Sequence, residues 1–164
     1  MLQRRIFFFL IPLFVVAILF PACDSKRYFE ENKAIFKGSW KSEEKAHFDV
    51  QITDTLSRYD FFLNVRNSVD YPYSNLYLFI HTTSPLGKKA QDTVECQLSD
   101  YAGKWLGSGF GSIKFNRFLI QKGVNFRQKG RYTFEIEQAM RVKELKGIVD
   151  VGVRIEKEQK LIYP

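Results

Sequence analysis

Tyr59-Asp60-Phe61-Phe62-Leu63-Asn64-Val65-Arg66-Asn67 decides the fold class. In an extended chain Tyr59, Phe61, Leu63 and Val65 fall on one side, and Asp60, Asn64 and Arg66 on the other. A period of two is the mark of a half-buried strand, because successive side chains of a pleated chain point to opposite faces. The same rhythm recurs along the chain. Residues 47–53 carry Phe48, Val50 and Ile52 on one face. Residues 149–156 set Val149, Val151, Val153 and Ile155 inward against Asp150, Arg154 and Glu156 outward. Residues 75–82, 92–98, 113–120 and 131–138 complete a set of seven predicted strands. Ser84-Pro85-Leu86-Gly87 is a turn with a mechanism: proline presets φ and glycine permits a positive φ. It should join 75–82 to 92–98 as an antiparallel hairpin. Residues 139–146 read as a short helical or irregular piece ended by Gly147.

Short strands with frequent turn signals and no long helical period predict an all-β fold, a single antiparallel β-sandwich. Gly130-Arg131-Tyr132-Thr133-Phe134 resembles the tyrosine corner of immunoglobulin-like sandwiches. That favours the immunoglobulin-like arrangement, with a jelly roll as the alternative.

The first residues are of another kind. Arg4 and Arg5 precede an apolar run from Ile6 to Phe20, followed by Pro21-Ala22-Cys23. A charged start, a short apolar core and a small residue before a cut define a secretory signal. The run falls short of the roughly 20 residues that cross a bilayer and contains Pro12, which disfavours a membrane-spanning helix. A cysteine directly after the small residue resembles a bacterial lipobox, so Cys23 is the expected lipidation site. The expected organisation is therefore a signal peptide over 1–22, a lipidated polar tether over 23–33 and a sandwich domain over 34–164.

Cleavage after residue 22 leaves 142 of the 164 residues, one domain with room for a real core. It removes two arginines and no acid, so the whole-chain charge of +7 falls to +5. That mild excess favours anionic neighbours such as lipid headgroups or acidic glycans. The cations are interleaved with carboxylates, and no basic cluster marks a nucleic-acid binder. Once Cys23 is lipidated, Cys96 has no partner within the chain. Its alternation with Val94 and Leu98 makes it a buried small hydrophobe.

No catalytic constellation is visible. The glycine-rich stretch from Gly103 to Ser112 places Lys104 before its glycines and leads into a strand, which is wrong for a phosphate loop. It reads first as a glycine-permitted loop, and second as a binding loop presenting Trp105. Asp70-Tyr71-Pro72-Tyr73-Ser74-Asn75 offers two rings at a turn, and the following strand is apolar on both faces through Tyr77 and Phe79. His47 and His81 lie on separate predicted strands, so no metal or cofactor is expected. Glu135 with Glu137, and Asp150 with Glu156, read as solvated strand faces rather than glycosidase pairs.

Several longer motifs then point to a family. Asp70 to Ile80, Asp92-Thr93-Val94-Glu95-Cys96, Gly103-Lys104-Trp105-Leu106-Gly107-Ser108-Gly109, Gln138-Ala139-Met140-Arg141 and Gly147-Ile148-Val149-Asp150-Val151-Gly152 resemble, in order, the gliding-motility lipoprotein H (GldH) family of Bacteroidetes. The resemblance implies a cell-envelope lipoprotein connected with gliding and the type IX secretion machinery, and it brings no catalytic residues. On this reading the protein is not an enzyme. It is held to the membrane by its lipid, on the outer membrane and facing the periplasm, and it touches envelope proteins through a surface at Asp70, Tyr71, Tyr73, Trp105 and Arg141. The alternative is a carbohydrate-binding sandwich that stacks a glycan on its loop rings.

Overall fold

Tyr59, Phe61, Leu63 and Val65 are all buried, as their alternation requires. The computed structural model describes residues 24–158; the expected signal segment and Cys23 lie outside the described residues. The strands are β1 (Arg27–Ala34), β2 (Ser39–Lys41), β3 (Ala46–Ile52), β4 (Tyr59–Ser68), β5 (Asn75–Thr83), β6 (Lys89–Gln97), β7 (Ile113–Val124), β8 (Gly130–Gln138), β9 (Glu144–Lys146) and β10 (Ile148–Lys157). All seven expected segments are present, and β1, β2 and β9 are additional.

Two four-stranded sheets, β1-β10-β4-β7 and β3-β8-β5-β6, enclose the core, with β2-β9 as a small appendage. The pairing follows one rule. β1 lies against β10, β3 against β8, β4 against β7 and β5 against β6, all antiparallel. The chain is thus one long hairpin, doubled at the turn over 84–88 and rolled so that successive pairs alternate between sheets. β10 with β4 and β8 with β5 complete the sheets. This is the wiring of a jelly roll, which corrects the immunoglobulin-like expectation. Alternation specifies which side of a strand faces the core, but not which strand lies beside it.

The tyrosine corner is corrected with it. Tyr132 packs edge-on against Phe126 at 4.8 Å. The reach back to the backbone is made instead by Tyr59, whose hydroxyl donates to the Asp54 carbonyl at 2.7 Å. The doubling turn forms as expected: Gly87 takes φ 78° and its N–H donates to the Ser84 carbonyl at 2.8 Å.

Two strand faces differ from expectation. The β10–β4 register slips between Ile148 and Asp150, so Ile148 takes the core position and Val149 turns half out. Asp150 and Arg154 do point away from the core but are not solvated: they are 2% and 4% exposed. Their neighbours cover them. Asp150 is paired with Arg66. Arg154 pairs with Asp24, with Glu30 at 2.5 Å and with Glu156 at 2.7 Å. Glu30 also accepts from Arg117 and Asn64, each at 2.8 Å. Most of the expected tether, residues 27–33, is therefore edge strand β1, with Glu30 locked into this network.

Candidate functional site

A jelly roll gathers its connections at two ends. At one end β1 begins and β10 finishes, beside the connections over 53–58, 84–88 and 125–129. At the opposite end lie the connections over 69–74, 98–112 and 139–143. The five residues expected to form a contact surface all belong to this second end, although they come from three separate connections.

The structure separates their roles. Asp70 is exposed, with its N–H held by the Ser68 hydroxyl at 3.0 Å. Tyr71 is 4% exposed and donates to the Asn75 carbonyl at 2.9 Å. Burial raises its phenol pKa well above the usual value. It is a foundation, not a contact ring. Tyr73 stands on it edge-to-face, with ring centroids 5.6 Å apart, and is exposed. Trp105 is half-buried and packs against the core. Its backbone bridges Ser99, and Ser99 in turn donates to the Ser74 carbonyl. Gly107 belongs to this connection because a Cβ there would meet the buried Asn116 amide at 2.7 Å. The glycine-rich stretch is thus a braced loop, and the indole is part of its packing.

Tyr73 and Arg141 come together. With Tyr77, Ala139, Met140 and Val142 they line an open groove of about 590 Å³. Its loop is shaped by Gln138, whose buried side chain accepts from the Met140 N–H and donates to the Val142 carbonyl, both at 2.9 Å. The Ala139 N–H closes onto the Tyr77 carbonyl at 2.8 Å, and the Met140 sulfur covers the Tyr77 N–H at 3.4 Å. The groove therefore has two rings, a thioether and a guanidinium, the last two on a loop held by the Gln138 amide and the Ala139 N–H. Tyr77 was legible as the outward ring of a two-faced apolar strand. Met140 and Val142 were not, because nothing in their sequence shows that the loop folds back over β5. Tyr101 and Phe110 stand fully exposed at the same end.

Elsewhere the chemistry is quiet. Cys96 is buried, and desolvation pushes its thiol up to about 12, so it does not act as a nucleophile near neutral pH. His47 and His81 both lie opposite Glu135 across the sheet. Each is 3.3 Å from a carboxylate, Asp49 and Glu137 respectively. Among the described residues no three acidic, histidine or cysteine side chains converge as a metal site.

Fold and groove define an antiparallel jelly-roll domain with aromatic side chains gathered at one end. The comparisons narrow this. Residues 27–155 match the family model described as GldH lipoprotein, and the chain belongs to the GldH lipoprotein family. It is 39% identical to "Gliding motility lipoprotein GldH homolog" of Christiangramia forsetii, over 94% of this chain and 98% of that one. It is 36% identical to "Gliding motility lipoprotein GldH" of Flavobacterium johnsoniae, over 89% and 94% respectively. Among solved structures, a protein of Listeria monocytogenes in complex with glucose, magnesium and calcium is similar at a TM-score of 0.38 and 19% identity. That match covers 71% of this chain and 9% of that one.

Proposed function

We propose that this protein is a lipid-anchored, non-enzymatic component of a cell-envelope assembly, and that its jelly roll works by contact. Cys23 carries the lipid, and the domain faces the periplasm from the outer membrane. The curated relatives are named as gliding motility lipoproteins, which favours partners among gliding and type IX secretion proteins. The single observation behind the contact role is the groove between Tyr73, Tyr77, Met140 and Arg141. Aromatic and arginine side chains on a preorganised surface are the usual anchors of protein interfaces, where truncating one costs about 2 kcal/mol or more. The rigid loop lowers the ordering cost of binding. Asp70 at its edge adds a charge that sets orientation. The glycan-binding alternative loses part of its platform because Trp105, one of its loop rings, is half-buried.

The test is photo-crosslinking in cells. A benzoylphenylalanine at position 73 should give a discrete protein adduct, and one at the exposed Leu119, on the outside of the β7 sheet, should give none. Arg141→Ala and Tyr77→Ala should reduce the position-73 adduct without moving the unfolding temperature. An adduct pattern equal at 73 and 119, or one indifferent to both substitutions in a folded protein, would remove the groove as the contact surface.

A further inference from the structure

The end of the sandwich opposite the groove has a composition of its own. Two leucines occupy its loop tips: Leu56 is 94% exposed and Leu86 77% exposed. Both are held out rigidly. The Asp54 carboxylate accepts from the backbone N–H groups of Leu56 at 2.9 Å and Ser57 at 3.2 Å, and from Lys157 Nζ at 2.6 Å. Leu86 rides on the turn closed between Gly87 and Ser84. These loops share one end. Pro85 lies against Gly130, Arg58 against Gly123, and the Glu158 N–H donates to the Arg58 carbonyl. Exposed Lys26, Arg27, Arg58, Lys88, Arg127 and Lys129 surround the leucines. Of the carboxylates there, Asp24 and Glu156 are turned onto Arg154, Asp54 onto Lys157 and Asp60 onto the Gly123 N–H, leaving Glu158 exposed.

The amino end of the described chain is fastened at this same end. Asp24 pairs with Arg154, and the Lys26 carbonyl accepts from the Lys157 N–H at 2.9 Å. Adjacent Cα atoms are about 3.8 Å apart. A lipid on Cys23 therefore leaves the domain here, with almost no free chain between them.

We propose that this end is a membrane-docking surface for a bilayer with anionic headgroups. Leu56 and Leu86 enter the headgroup layer, and the surrounding lysines and arginines pair with its phosphates. Aliphatic tips ringed by cations match the layered polarity of a bilayer interface, where apolar burial and attraction to anionic lipid act together. Exposed leucines on braced loops, and carboxylates engaged by Arg154 and Lys157, fit that occupant better than a protein groove would. Strands of about nine residues span about 30 Å, so docking holds the aromatic end away from the lipid surface and sets its height. This inference rests on the lipid anchor at Cys23.

The test uses the processed, lipidated protein reconstituted in phosphatidylcholine/phosphatidylglycerol vesicles containing a spin-labelled lipid that quenches fluorescence near the headgroups. A thiol-reactive dye is placed by Leu56→Cys, Leu86→Cys or Tyr101→Cys in separate proteins. Native Cys96 is buried, and a lipidated Cys23 has no free thiol, so each protein takes one dye. The labels at 56 and 86 should lose most of their emission, and the label at 101 should keep it. Adding Arg127→Glu with Lys129→Glu should restore emission at 56 and 86. Flotation with the vesicles and intact mass report the anchor separately. A lipidated, floating protein whose labels at 56 and 86 are as bright as the label at 101 overturns the docking surface. An unlipidated protein that does not float removes both readings.

Discussion

Three carboxylates converge on Arg154, which is 4% exposed. Removing it would leave Asp24, Glu30 and Glu156 facing one another beneath partial cover. Breaking a buried ion pair from one side costs about 3 kcal/mol or more, so Arg154→Ala should destabilise the fold by that order at neutral pH and lower the urea midpoint in proportion. Acid should erase the difference. The hydrogen bond from Arg154 holds the Asp24 carboxyl below its usual range. For Glu30, burial acts in the opposite direction, and the hydrogen bonds from Asn64 and Arg154 outweigh it. A carboxyl whose pKa is lowered by folding stabilises the native state above its unfolded pKa, about 4, and loses that contribution as pH falls through its folded value. The gap between wild type and Arg154→Ala should therefore be widest near neutrality and shrink steadily below about pH 4. Urea titrations across that range check it; a gap independent of pH would mean the guanidinium acts through packing alone.

At the scale of elements, Gly147 between β9 and β10 shows how one position shapes the end that carries the groove. Its φ is 91°, and a Cβ there would sit 2.9 Å from the Tyr71 Cα, a backbone atom that cannot swing away. Gly111 also has a positive φ, 75°, but has open space around it. Alanine at a positive φ costs about 1 kcal/mol or more. Gly147→Ala should therefore destabilise more than Gly111→Ala, and it should also disturb the ring pair that Tyr71 makes with Tyr73. Thermal unfolding of the two variants gives the comparison. Elements were the most legible level of this chain, because a core-facing row such as Phe48, Val50 and Ile52 declares itself by alternation. β1 escaped notice for a physical reason. Its outward side carries Glu30 and Asn32 for the Arg154 network, and charges that satisfy a sheet face look, in sequence, like a solvated linker. The Val149 slip was hidden because a bulge shifts the period without changing the residue types. At the aromatic end, Tyr73 was legible as a ring at a turn, and Arg141 only through the family motif at 138–141. The burial of Tyr71 and the half-burial of Trp105 depend on what the fold brings over them.

For the whole molecule the wiring matters more than any single contact. β10 lies between β1 and β4 and gives both their hydrogen bonds. A chain ending at Gly147 keeps every other long strand. Even so, it should show neither dispersed amide resonances nor a cooperative thermal transition. It leaves β1 without a partner and opens the core where Val151, Val153 and Ile155 belong. A truncated chain that still melted cooperatively would show that the two sheets are separable, which their shared core argues against.

Because the earliest strand is married to the latest, the order of synthesis and the order of assembly run against each other. A ribosome releases β1 first, and β1 waits while more than a hundred residues follow, until the ten of β10 emerge. Pairings so distant along the chain form slowly. The growing polypeptide therefore stays loose enough to be threaded through a narrow channel, and it becomes resistant to proteases only when its final strand is free to seat.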